Sequence, residues 1–195
     1  MRFILILLAV TAALCVNGQN QFEWDGVYAL QLSDFQSSAT ELGNESMLSV
    51  NTGGHIGFSF YMSNAEFMFT KNFNPKVTCT FNRNAASIVA PDSASALKLV
   101  NLARYDFDLA ELYARKFRKE LYLNKGAFSS ASFFQPIFDK IQKEYQERHI
   151  QASKEARLGF NEEKLKELHA QVITEIAELS DFCKTCKPSK RKKGK

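Results

Sequence analysis

Residues 88–126 read IVAPDSASALKLVNLARYDFDLAELYARKFRKELYLNKG, and the change of rhythm inside this stretch decides the fold class. Pro91 closes an extended run, Asp92 offers a carboxylate as helix cap, and few breakers follow until Asn124-Lys125-Gly126. Between them Leu99, Leu102, Ala103, Leu109, Ala110, Tyr113, Phe117 and Leu121 recur mostly at spacings of three and four, the period of one apolar helical stripe.

Upstream, from Phe22 to about Ala90, the period is two, as a strand with one buried face requires. Tyr28, Leu30 and Leu32 share one parity; so do Phe58, Phe60 and Met62, then Phe67 and Phe69, then Val77, Cys79 and Phe81. This predicts about four or five short strands in a meander. Asn51-Thr52-Gly53-Gly54 is the expected hairpin turn between Met47–Val50 and His55–Met62, with a second turn at Asn72–Lys76 around Asn74-Pro75.

Downstream, a second helix is expected from about Ser132 to Leu158, with Phe134, Ile137, Phe138, Ile141 and Tyr145 inward and Pro136 confined to its first turn. Gly159 ends it and Asn161 caps a third helix, with Glu162 and Glu163 in the first turn and Leu165, Leu168, Val172, Ile176 and Leu179 on its apolar stripe. The fold class is therefore α+β: an N-terminal antiparallel β-sheet packed against about three C-terminal amphipathic α-helices.

Composition agrees with one globular domain, since 45% hydrophobic and 24% charged residues exclude collagen-like or wholly disordered chains. Met1 and Arg2 precede the apolar run Phe3–Val10 and the small residues that end at Gly18, which reads as a signal peptide, residues 1–18, with cleavage leaving Gln19 first. The apolar stretch ends after about 14 residues, short of the roughly 20 a membrane span needs. The division is then a leader (1–18), one α+β domain (19–183, β-rich over 22–90 and helical over 92–183) and a disordered basic tail (184–195).

Secretion gives other signals their meaning. Asn44-Glu45-Ser46 becomes a glycosylation acceptor at Asn44. Cys15 leaves with the leader, so Cys79, Cys183 and Cys186 remain, an odd number in an oxidising compartment. Cys183-Lys184-Thr185-Cys186 has the spacing of a redox dithiol but follows a helix instead of starting one, where a helix dipole would stabilise thiolate. A zinc site would need a second ligand pair. The expected arrangement is a bridge from Cys79 to Cys183 or Cys186, worth roughly 4 to 5 kcal/mol across so long a loop. The cysteine left over then allows a disulfide-linked homodimer.

The tail carries Lys184, Lys187, Lys190, Arg191, Lys192, Lys193 and Lys195, or +7 without an acid. With that and Arg2 set aside from the chain's net +4, the body bears −4. Such a run attracts polyanions, which outside a cell include a matrix of sulfated glycan, anionic lipid and extracellular nucleic acid. Arg115, Lys116, Arg118 and Lys119 form a second basic cluster, expected as a solvated helix face paired with Glu111 and Glu120.

No pattern of residues dictates a reaction. There is no H-E-x-x-H, G-x-S-x-G, phosphate-binding glycine loop or EF-hand loop. Asp106 and Asp108 diverge on a helix, and His149 and His169 are expected at exposed or boundary positions. Neither catalytic residues nor a metal or cofactor are expected. The 17 Phe exceed ordinary usage and predict a rich aromatic core. Two roles follow: a secreted non-enzymatic protein that binds extracellular protein or polyanionic matrix, or a carrier of an apolar ligand held between the Phe-rich sheet and the helices.

Overall fold

A computed structural model describes residues 20–44, 47–59, 61–126, 129–130 and 132–188. The leader, Phe60 and most of the basic run lie outside the described residues. Strands β1 (Gln21–Glu23), β2 (Glu41–Leu42), β3 (Ser49–Asn51), β4 (Gly54–Phe58), β5 (Val77–Asn82) and β6 (Ser87–Ala90) form two three-stranded sheets. One has the order β1-β5-β4 and is antiparallel; in the other, β6 lies between parallel β2 and antiparallel β3. Helix α1 (Asn64–Phe69) is short, whereas α2 (Ser93–Asn124), α3 (Gln135–Glu155) and α4 (Glu162–Glu178) are the long helices of an α+β arrangement.

The expected single meander is thus divided. β3 and β4 do not form a hairpin, because β3 pairs with β6 and β4 with β5. Gly53 carries the chain between sheets at φ +63, and a Cβ there would sit 2.9 Å from both the Ala86 Cβ and the Asn82 carbonyl. The glycine is needed where two connections cross in contact.

Two other expected strands are absent for local reasons. Asp25 accepts hydrogen bonds from the backbone of Val27 and Tyr28 at 2.8 Å, so that segment satisfies its amides within a turn and continues into a 3-10 turn at Leu32–Asp34. The Ser63 hydroxyl accepts from the Glu66 amide at 3.1 Å and caps α1, which turns Phe67 inward and leaves Phe69 84% exposed. Phe69 is therefore a surface residue and not a sheet-core residue.

Helix α2 is about 48 Å long at the usual rise. Asp92 caps it as expected, accepting from the Ser95 amide at 2.7 Å. It contacts both sheets together with α3 and α4, and the seven consecutive residues Leu109 to Arg115 are all buried, so the helix is enclosed on every face there. Aromatic rings fill its interface with the first sheet: Phe58 meets Phe117 at 5.3 Å between centroids and Phe81 meets Phe107 at 5.7 Å. Burial of such side chains contributes about 1.5–3 kcal/mol each.

Central placement also corrects the basic cluster. Arg115 and Arg118 are buried against Glu111, and only Lys116 and Lys119 of the four cations keep partial exposure.

The cysteine pairing differs from expectation as well. Cys183 is bonded to Cys186, whose Cα atoms a short turn brings to 5.1 Å, and Cys79 is free. Cys79 points into the core, where its thiol donates to the Phe107 carbonyl at 3.8 Å and burial pushes its pKa well up. A buried thiol offers no surface for an intermolecular disulfide. The four-residue ring contributes about 2 kcal/mol in the chain-entropy model, less than half of what the long bridge would.

The C-terminal boundary also shifts. Asn72 and Asn74 donate to the Cys186 carbonyl at 3.1 and 3.0 Å, and Lys184 pairs with Glu23, so the chain stays on the body beyond Cys183. Among the described residues no helix is long and apolar enough to cross a membrane.

Candidate functional site

Trp24 follows β1 and lies over one face of α2, while α4 runs along the same face. Between them is a cleft of about 380 Å³, walled by Trp24, Tyr28, Leu30, Phe107, Ile173 and Ile176. Its polar end is built from α2 and α4. Asp108 accepts from the Trp24 indole at 2.6 Å with one oxygen and pairs with His169 Nε2 at 2.5 Å with the other. Arg104 donates to the Leu30 carbonyl at 2.8 Å and to the Asn101 side chain at 2.9 Å, which fixes the Trp24–Leu30 segment against the helix. A wider groove of about 780 Å³ between α2 and α4 shares Arg104, His169 and Ile173 with the cleft.

Apolar walls that converge on a few fixed polar groups are what a small organic ligand requires. The rim adds apolar surface, since Val27 is 87% exposed and Ile173 46%. The polar end carries both signs of charge, the Arg104 guanidinium and the Asp108 carboxylate, with His169 held by the latter.

The second histidine is used differently. Asp106 is fully buried and receives the Thr52 hydroxyl at 2.5 Å, the Tyr145 hydroxyl at 2.9 Å and His149 Nδ1 at 2.6 Å. The hydrogen bond to Asp106, opposed by burial, holds the His149 pKa above its ordinary value of 6.5. A raised folded pKa adds stability that is fully present below the unfolded pKa and is lost as pH rises through the folded one. Denaturation midpoints measured from about pH 6 to 9 should therefore fall more in the wild type than in His149→Asn. Parallel pH profiles would show that the contact contributes nothing.

Asp106 and Asp108 do diverge, one toward α3 and the other toward α4, and each finds a histidine that sequence placed at the boundary. Neither imidazole is hydrogen-bonded to a hydroxyl or thiol among the described residues. No group of three His, Cys, Asp or Glu converges among the described residues.

A third polar group underlies the C-terminus. Glu111 binds Arg115 at 2.9 Å and Arg118 at 2.8 Å. Arg115 donates to the Ile176 carbonyl at 2.9 Å, and Arg118 to those of Val77 and Phe182 at 3.0 and 3.1 Å. One buried network thus ties β5, the end of α4 and the C-terminal turn to α2.

Of the residues singled out in sequence, Cys183, Cys186, Lys184 and Lys187 lie together at the C-terminal turn, and Cys79 is apart in the core. Asn44 is described and donates to Glu41 at 3.3 Å, whereas Glu45 and Ser46 of its triplet are outside the described residues. Lys190, Arg191, Lys192, Lys193 and Lys195 are also outside them. Sequence reading missed Trp24, Arg104, Asp108 and His169 as a group. The spacing of Glu111, Arg115 and Arg118 along one helix face signalled their pairing, but it was read as a solvated face and not as the buried network under the C-terminus. Comparison with family models, curated proteins and solved structures finds no match to this chain.

Proposed function

We propose that this chain is a secreted, non-enzymatic interaction protein that its basic C-terminus holds on an extracellular polyanion. The observation that carries this reading is the fixed origin of the basic run. The disulfide and the two asparagine contacts hold Cys186 on the body, and Lys187, Lys190, Arg191, Lys192, Lys193 and Lys195 follow without an acidic residue. Their charge acts on a body that is acidic in sum, so it is local to one point of the molecule. Heparin chromatography tests the idea. The protein truncated after Cys186 should elute at markedly lower salt than the full chain; unchanged elution would remove the tail from the function.

The cleft favours a second reading, a carrier for an apolar ligand. That ligand would sit between Trp24–Leu30, α2 and α4, since aromatic rings occupy the sheet–helix interface. Ile173→Asp would then displace it.

A further inference from the structure

Apolar faces close-pack unless something holds them apart, and the cleft between Trp24–Leu30, α2 and α4 is held open by polar ties. Asp108 on α2 accepts the Trp24 indole N–H at 2.6 Å and pairs with His169 Nε2 of α4 at 2.5 Å, so one carboxylate sets both walls at a side chain's length from α2. Arg104, one turn earlier on α2, fixes the far end of the segment by donating to the Leu30 carbonyl at 2.8 Å. Closing the walls on each other would break these bonds and leave their polar groups unpaired. The space of about 380 Å³ therefore belongs to the fold and not to loose packing, and Val27, Tyr28 and Ile173, which line it, keep apolar surface uncovered.

Two groups at the polar end have hydrogen-bonding capacity left. Arg104 spends Nε on Leu30 and Nη1 on the Asn101 side chain, and its Nη2 has no partner among the described residues. His169 spends Nε2 on Asp108, and its Nδ1 has none among them either. Both residues line the cleft. Fixed charge there is balanced, with the Arg104 guanidinium and the Asp108 carboxylate four residues apart on one face of α2. A ligand anion would have to give up water and still meet Asp108; a cation would do so and meet Arg104. An uncharged oxygen takes the guanidinium's hydrogen bond without either cost.

We propose that the cleft binds an uncharged apolar molecule with a hydroxyl or carbonyl oxygen at one end, in chemical class a terpenoid alcohol or ketone. The oxygen meets Arg104, and the hydrocarbon lies against Trp24, Tyr28, Phe107 and Ile173. This deepens the carrier reading of the cleft and rests on it. Aromatic rings from both the Trp24–Leu30 segment and α2 suit a flat or conjugated body. The volume is that of sites for small organic molecules, roughly 300–1,000 Å³. A fatty acid would bring its carboxylate beside Asp108.

Trp24 is the chain's one tryptophan and stands in the cleft wall, so its emission reads occupancy directly. Retinol and retinoate share one hydrocarbon body and differ in charge, and either quenches an indole beside which it binds. Titration of the full mature chain should show saturable quenching by retinol, with retinoate bound about tenfold or more weakly. Asp108→Asn should narrow that ratio, because it removes the carboxylate that repels retinoate. Ile173→Asp and Val27→Asp, on opposite walls and both exposed, should each weaken retinol binding by about tenfold at an unchanged thermal midpoint. Retinoate bound as tightly as retinol, or a ratio that Asp108→Asn leaves unchanged, overturns the uncharged ligand and leaves the carrier reading in place. Quenching by neither probe, or quenching that ignores both wall variants, overturns the carrier reading and the inference with it.

Discussion

Replacement of Glu111 by Ala is expected to destabilise the protein by about 3–5 kcal/mol, because it strands two guanidinium groups in the interior. Glu111 is 2% exposed, Arg115 7% and Arg118 1%, so water cannot take over the lost charge. The carbonyls of Ile176, Val77 and Phe182 remain as acceptors, yet they carry no countercharge. Glu111→Gln keeps shape and one acceptor oxygen and should recover only part of the loss. Since Arg118 also ties down the C-terminal turn, the damage should extend to the segment that carries the basic run. Urea denaturation measures the first effect, and amide exchange at Phe182–Cys186 the second. A variant with wild-type stability would mean that the two arginines find solvent or that the network is not buried.

The second large effect is expected at Gly159, where the α3–α4 connection passes over α2. Arg157, Leu158 and Gly159 all have positive φ, at 48, 55 and 92°. A Cβ on Gly159 would lie 2.3 Å from the Lys98 carbonyl, an atom fixed within the second turn of α2. Gly159→Ala must therefore either strain the backbone or lift the helical hairpin from α2. Backbone strain together with overpacking puts the cost at about 2–4 kcal/mol. Leu158→Gly, at a position already left-handed, should be far milder in backbone terms and serves as the control. Equal stability of Gly159→Ala and wild type would contradict the close approach.

How much of this was legible in the sequence follows the range of the interactions. Asp92 and Asn161 act on neighbours three residues away, so the starts of α2 and α4 could be read directly. The strands could not be paired in the same way. They are two to six residues long, and whether β3 joins β4 or β6 depends on where α2 lies. Alternation at Tyr28–Leu32 and Phe67–Phe69 misled for the opposite reason: Asp25 and Ser63 redirect the backbone through local hydrogen bonds that outweigh a weak period of two.

The cleft was hidden by separation. Trp24 meets Asp108 across 84 positions and His169 meets it across 61, and no spacing rule links such residues. The buried arginines were hidden by an assumption, that charge on a helix faces water. In a helix enclosed by two sheets and two helices, charge is tolerated where opposite charge and carbonyls meet it.

Secretion underlies every part of the proposed role, and intact mass spectrometry of the protein from the medium of expressing cells tests it most directly, with alkylation before and after denaturation. The expected species begins at Gln19, keeps the Cys183–Cys186 bond and exposes one thiol, that of Cys79, only when denatured. A chain retained in the cell with residues 1–18 attached would contradict an extracellular binding role.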